Sequence, residues 1–140
     1  MKEDRFFVDT NVLVYAYDET AAEKHEQAKE IVQDLWETRN GVLSMQVLQE
    51  FFITVTRKIP KPADIDTAAD IVRDYLQWRV VILRGQSIIS AIDIQRRHLI
   101  SFWDALILQA AVEGDAACLL TEDLAHGANL YDVEIRNPFK

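Results

Sequence analysis

Phe6-Phe7-Val8-Asp9-Thr10-Asn11-Val12-Leu13 is the stretch whose reading decides the fold. Three bulky apolar residues with no polar alternation read as a short strand buried on both faces. Asp9-Thr10-Asn11 breaks the run as a turn, with Asp9 a cap for a helix beginning near Asn11. The same alternation continues outward. Thr20 with Glu23 forms a capping-box pattern, followed by Ala28, Ile31, Val32, Leu35 and Trp36 at helical spacing. Asn40-Gly41 ends that helix and Val42-Leu43 makes the next strand. Ser44 caps a helix with the stripe Val47, Leu48, Phe51, Phe52 and Val55. Pro60 and Pro62 bracket a loop, and Asp64 caps a helix bearing Ile65, Ala68, Ala69, Val72, Tyr75 and Leu76. Val80 to Leu83 reads as a strand and Gly85 as a turn. Ser87 to Arg97 reads as a helix with Ile88, Ala91 and Ile92 inward. Ser101 opens a helix that Gly114 closes, and Ala117–Leu120 and Val133–Arg136 are the last strands. The pattern predicts an α/β fold, helix-rich, with a parallel sheet covered on both faces. No repeat or linker divides the chain, so residues 1–140 read as a single domain.

Composition narrows the chemistry. The formal charge is −8, from 23 acidic and 15 basic residues, which on average repels nucleic acid. The excess is uneven: residues 1–40 and 111–140 are acidic, whereas residues 41–110 carry seven acids and eight bases. Arg57, Lys58, Arg84, Arg96 and Arg97 punctuate that middle region and are candidate contacts to an anionic polymer. Cys118 is the one cysteine, which fits a reducing cytoplasm. The charged start at Met1-Lys2-Glu3-Asp4-Arg5 breaks a signal-peptide pattern, and no apolar run approaches the ~20 residues of a membrane span. Scattered His25, His98 and His126 argue against a zinc site. Four glycines, with no Walker A and no G-x-S-x-G sequence, leave little room for phosphate loops or nucleophile elbows.

Two acids stand where an α/β sheet binds ligands, outside the carboxyl ends of its strands, and two more lie on helices. Asp9 follows the first strand and Asp123 the Ala117–Leu120 strand. Glu50 lies at about 300° when Val47 is at 0°, the edge of a buried helix face. Asp104 is in the first turn of its helix, three residues after Ser101. Singly, each has an ordinary structural role: a cap, an edge carboxylate, a capping pair, a polar loop. Together, four carboxylates at one end of a sheet repel one another unless protonated or neutralised by a cation. Hard Mg²⁺ or Mn²⁺ suits such oxygen ligands.

These motifs resemble the PIN domain family. The resemblance is carried in order by Phe7-Val8-Asp9-Thr10-Asn11-Val12-Leu13, by Ser44-Met45-Gln46-Val47-Leu48-Gln49-Glu50-Phe51, by Phe102-Trp103-Asp104-Ala105-Leu106-Ile107 and by Leu120-Thr121-Glu122-Asp123. Asn137-Pro138-Phe139 extends it to the end of the chain. It implies a three-layer α/β/α fold with a short parallel central sheet. It also implies one or two Mg²⁺ or Mn²⁺ ions held by Asp9, Glu50, Asp104 and Asp123, with Asp9 and Asp104 the preferred ligands. Thr10, Asn11 and Thr121 take supporting places. A domain of this length is most similar to VapC-type toxins of bacterial toxin–antitoxin pairs, which implies an RNA substrate, an antitoxin partner, a homodimer, a cytoplasmic location and no membrane. A non-toxin RNA-processing nuclease and a degenerate PIN fold serving as a protein-binding module are the alternatives. A phosphotransfer receiver fails, because Arg84-Gly85 and Thr121-Glu122 stand where it needs a phosphoacceptor Asp and a Lys.

Overall fold

The computed structural model describes residues 4–140; the Met1-Lys2-Glu3 start of the signal-peptide reading lies outside the described residues. In chain order the elements are β1 (Phe6–Val8), α1 (Thr10–Tyr17), α2 (Glu23–Thr38), β2 (Gly41–Ser44), α3 (Met45–Arg57) and α4 (Ile65–Tyr75). There follow β3 (Arg79–Val81), α5 (Gly85–His98), α6 (Phe102–Glu113), β4 (Cys118–Leu120), β5 (Asn129–Leu130) and β6 (Val133–Arg136). The sheet order is β3-β2-β1-β4-β6-β5, parallel throughout except where β5 pairs antiparallel with β6. The α/β class with a mostly parallel sheet matches the reading of the sequence. The antiparallel β5 was not anticipated, because two residues hold no periodicity.

The position of β1 explains its composition. It is hydrogen-bonded on both edges, and Phe7 and Val8 are fully buried with Leu43 and Leu119 from the flanking strands and Ile135 from β6 beyond β4. Helix α1 packs on both α2 and α3, α5 packs on α6, and α2, α3 and α6 all reach β2. Six residues of α6, from Ala105 to Leu108 with Ala110 and Ala111, are buried, the pattern of a core helix. The chain crosses from β1 to β2 on one side and later returns to place β4 on the other. The gap between β1 and β4 is thus the switch point where such sheets bind ligands.

Several local expectations are corrected. Thr20 and Glu23 form no capping box. The carboxylate of Asp18 accepts from both the Thr20 amide (3.0 Å) and its hydroxyl (2.6 Å), which fixes a 3₁₀ turn over Glu19–Ala21. Helix α2 then starts after Ala22, at φ 56°, without a side-chain cap. Gly85 is the first residue of α5, not a turn ahead of it. That helix buries Ser87, Ala91 and Ile94, while Ile88 and Ile92 face out at 46% and 38% exposure. Its small residues let it approach α6 closely, so size and not hydropathy sets its rotation. On α4, Ile65 and Leu76 are exposed and Ala68 and Tyr75 carry the contact. The third strand spans Arg79–Val81, leaving Ile82 outside it and exposed.

Gly41 shows how tightly the β2 side is built. A Cβ there would meet the Trp78 ring at 2.2 Å, and Trp78 is held edge-on by Trp36 and Tyr75. A rigid ring inside an aromatic cluster has little room to retreat. Gly41→Ala is therefore expected to cost about 2–3 kcal/mol, near the upper end for overpacking. Thermal unfolding should show this as a melting point lower by roughly 10 °C. An unchanged melting point would mean that the cluster yields.

Candidate active site

Register builds the centre of the site. Val8 pairs with Leu120, so Asp9 and Thr121 leave the sheet side by side, and the Asp9 amide donates to the Leu120 carbonyl at 3.0 Å. Asp9 caps α1, its Oδ1 accepting from the Thr10 amide at 2.7 Å. Its Oδ2 accepts from the Thr121 hydroxyl, also at 2.7 Å. The same Thr121 oxygen accepts from the Asp123 amide at 3.1 Å, which latches the post-β4 loop to the end of β1. Thr10 faces the other way and donates its hydroxyl to Glu50 Oε1 at 2.6 Å. Gln46, one turn earlier on α3, donates to Glu50 Oε2 at 3.3 Å. The Ser44 cap on the Val47 amide starts α3 in the phase that brings Glu50 here. Asp104 enters from α6, where the Ser101 hydroxyl accepts from its amide at 3.0 Å. Among the described residues the Asp104 carboxylate makes no hydrogen bond back to Ser101. That capping pair leaves the acid free to face the cavity.

Asp9, Glu50, Asp104 and Asp123 line one cavity of about 450 Å³, together with Thr10 and Asn11. Their electrostatics show that they feel one another. Burial pushes Asp9, 6% exposed, up to about 6; its Thr121 and Thr10 hydrogen bonds pull it down, and Asp123 and Asp104 raise it again. Asp123 is also raised, first by burial and then by Asp104, Glu122 and Glu50. A cluster of this kind binds a proton or a cation more readily than four isolated acids.

Among the described residues no group of three or more His, Cys, Asp or Glu side chains is placed to enclose a metal ion. The donor set still fits a hard divalent ion, which keeps several waters and takes one or two carboxylates at a time. Two raised carboxylates in an open, oxygen-lined cavity are the observation behind that fit.

Of the five cations named from the sequence, one lines this cavity and four do not. Lys58, at the C-cap of α3, lines the cavity. Arg57 lines a separate depression with Ala63 and Asp64. Arg96 lines a pocket with Tyr131, Arg97 pairs with Asp93 at 3.0 Å, and Arg84 is exposed ahead of α5. Sequence reasoning missed Gln46, Gln49 and Trp103 as lining residues. It also missed a clamp behind the site, where Glu122 accepts from Tyr15 at 2.6 Å and pairs with Lys24 at 2.8 Å. Burial pushes Glu122 up, but these donors more than offset it and hold it below the ordinary range. Partners separated by about a hundred positions leave no local signal.

Comparison with known proteins agrees with this architecture. No curated protein matches the chain. Among solved structures it is similar to VapC20 of Mycobacterium tuberculosis, described as a sarcin-ricin loop cleaving toxin. The TM-score is 0.63 and the identity 23%, over 81% of this chain and 86% of that one, a likeness of fold. A family model described as PIN domain matches residues 6–128, which takes in β1 through the loop after β4 and all four acids. The chain belongs to the PIN domain family.

Proposed function

We propose that the chain is a Mg²⁺- or Mn²⁺-dependent endoribonuclease cutting single-stranded regions of RNA, and the toxin of a toxin–antitoxin pair. The observation that carries this is the convergence of Asp9, Glu50, Asp104 and Asp123, from four separate places in the chain, in one cavity at the switch point. Asp9 and Asp104 would hold the ion directly, Glu50 and Asp123 directly or through water. Bound there, the ion supplies an acidified water and compensates charge at the scissile phosphate. The chain's own part is orientation. Thr121 and the Thr10 amide fix both oxygens of Asp9, and the Thr10 hydroxyl fixes one oxygen of Glu50. With water as the attacking group, the products carry a 5′ phosphate and a 3′ hydroxyl.

An antitoxin partner fits a second surface. Between α3 and α4 lies a groove of about 550 Å³ walled by Met45, Leu48, Phe52, Ile53, Val72 and Leu76. Met45, Ile53 and Leu76 are 38%, 39% and 51% exposed, anchors suited to an amphipathic helix laid in the groove. A homodimer and a cytoplasmic location complete the reading; no helix among the described residues is long and apolar enough to cross a membrane.

The test is cleavage of total RNA by the purified chain with Mg²⁺, with Mn²⁺ and with chelator, after co-expression with the adjacent gene. Ion-dependent cuts with 5′-phosphate ends, suppressed by the co-purifying product, are expected. No cleavage under any ion overturns the enzyme assignment. A salt titration of RNA binding separates the cations. Lys58→Ala should lower the slope of log K against log salt by about 0.7–0.9, one phosphate contact. Arg96→Ala and Arg97→Ala should leave it unchanged.

A further inference from the structure

We propose that Trp103 is a stacking platform for a base of the RNA strand held beside the carboxylates, an inference that rests on the ribonuclease reading above. Trp103 is 63% exposed, although nearly every other residue of α6 from Ala105 to Ala111 is buried. Its neighbour Phe102 packs against the core and meets the indole edge-on, with centroids 5.5 Å apart at 67°. The ring is thus braced from one side while its exposed surface borders the cavity. Neighbours on a helix project about 100° apart, yet Trp103 and Asp104, both in the first turn of α6, line the same cavity.

The wall around it has the composition of a single-strand channel. Trp103 and Ile107, one turn apart on α6, stand with Ile53, Thr54 and Lys58 of α3 around the four acids. An aromatic face for a base, a cation for a phosphate and an acid cluster for an ion are the parts such a channel combines. The α3 residues from Gln46 to Lys58 extend over about 18 Å of helix, several times the ~3.4 Å between stacked nucleotides. A protein partner is the other way to cover an exposed indole. The apolar α3–α4 groove, however, does not include Trp103, and four carboxylates line the cavity beside the ring.

The experiment uses the Asp9→Asn protein in Mg²⁺, with a mixed-sequence RNA dodecamer and a second dodecamer of abasic riboses with the same phosphates. Trp36 and Trp78 pack with Tyr75 away from the cavity, so a change in emission reports Trp103. The dodecamer should quench emission, Trp103→Phe in the same background should abolish that response, and the abasic strand should bind the Asp9→Asn protein and its Trp103→Ala variant equally weakly. In the active enzyme, Trp103→Ala should raise KM roughly 5- to 100-fold with kcat nearly unchanged, the signature of lost uniform binding. Trp103→Tyr should restore most of it, which a purely structural role would not require. Should Trp103→Ala fold poorly, the quenching result and the Tyr variant decide. Cleavage by a chain whose Trp103 is silent to RNA and whose Ala variant keeps its KM overturns stacking and leaves the nuclease standing. Emission that responds to protein concentration but not to RNA overturns it in favour of self-association. A chain that neither binds nor cuts RNA overturns both.

Discussion

Asp9→Asn is expected to eliminate RNA cleavage while raising the melting temperature of the metal-free protein at neutral pH. Both follow from one buried carboxylate. Folding raises the Asp9 pKa from 3.8 to about 6, so the folded chain holds its proton more tightly than the unfolded one. The stabilisation from this group is complete below about 3.8 and is lost as the pH rises through about 6. At pH 7 the metal-free fold therefore bears an ionised acid whose cost is roughly 3 kcal/mol. Asn is uncharged at every pH and nearly the same shape. Its carbonyl oxygen can still accept from the Thr10 amide, and its amide can donate to the Thr121 hydroxyl oxygen. Thermal unfolding in chelator should put the variant several degrees above wild type at pH 7.5, with the gap closing near pH 4. Added Mg²⁺ should reverse the order by stabilising wild type in proportion to its occupancy. A variant that melts below wild type at pH 7.5 in chelator would show that the Asp9 charge is not the cost assigned to it. One that cuts RNA at the wild-type rate would remove Asp9 from the site.

How far the sequence reaches can be judged on the same residues. Phe6-Phe7-Val8 announces a buried strand because three apolar side chains without alternation suit only a doubly covered position, and β1 is that strand. Asp9, Glu50, Asp104 and Asp123 are legible as acids at strand exits or helix edges, and all four line the cavity. What joins them is not legible. The Asp9–Thr121 bond follows from the flush register of Val8 against Leu120, and the Thr10–Glu50 bond from the packing of α1 on α3. Neither register nor helix packing is written in a local pattern. The rotation of α5 fails for a related reason. With isoleucines at 88, 89, 92 and 94 on more than one face, hydropathy cannot choose, and the contact goes to Ser87 and Ala91. Net charge misleads in its own way. Four of the acids behind the −8 share one cavity, so the total says little about the surface that an RNA would meet.

Thr121→Val should move the acid limb of the cleavage profile to higher pH by about one to two units and cut activity at pH 7 by roughly 2- to 10-fold. The hydroxyl has two duties, donating to Asp9 Oδ2 at 2.7 Å and accepting from the Asp123 amide at 3.1 Å. Burial is the largest influence on Asp9 and raises it; the Thr121 bond is the largest one holding it down. Without that bond the buried carboxylate climbs further. A hydrogen bond to a charged group is worth about 1.5–3 kcal/mol, which converts to about one to two pH units. The direction is fixed by what the site needs. An ion is held by the ionised acid, so a higher pKa means that a higher pH is required before Asp9 can serve. Valine fills the same space at a position 1% exposed, so the fold should survive the change. The Asp123 loop stays anchored nearby through Glu122, Tyr15 and Lys24, so the loss should reflect chemistry at Asp9 more than a displaced loop. Thr121→Ser keeps both bonds and should keep the wild-type profile. Rate–pH profiles of the three proteins settle the point. If Val and Ser variants share the wild-type acid limb, the hydroxyl does not set the proton affinity of Asp9, and the site must be tuned by its carboxylates alone.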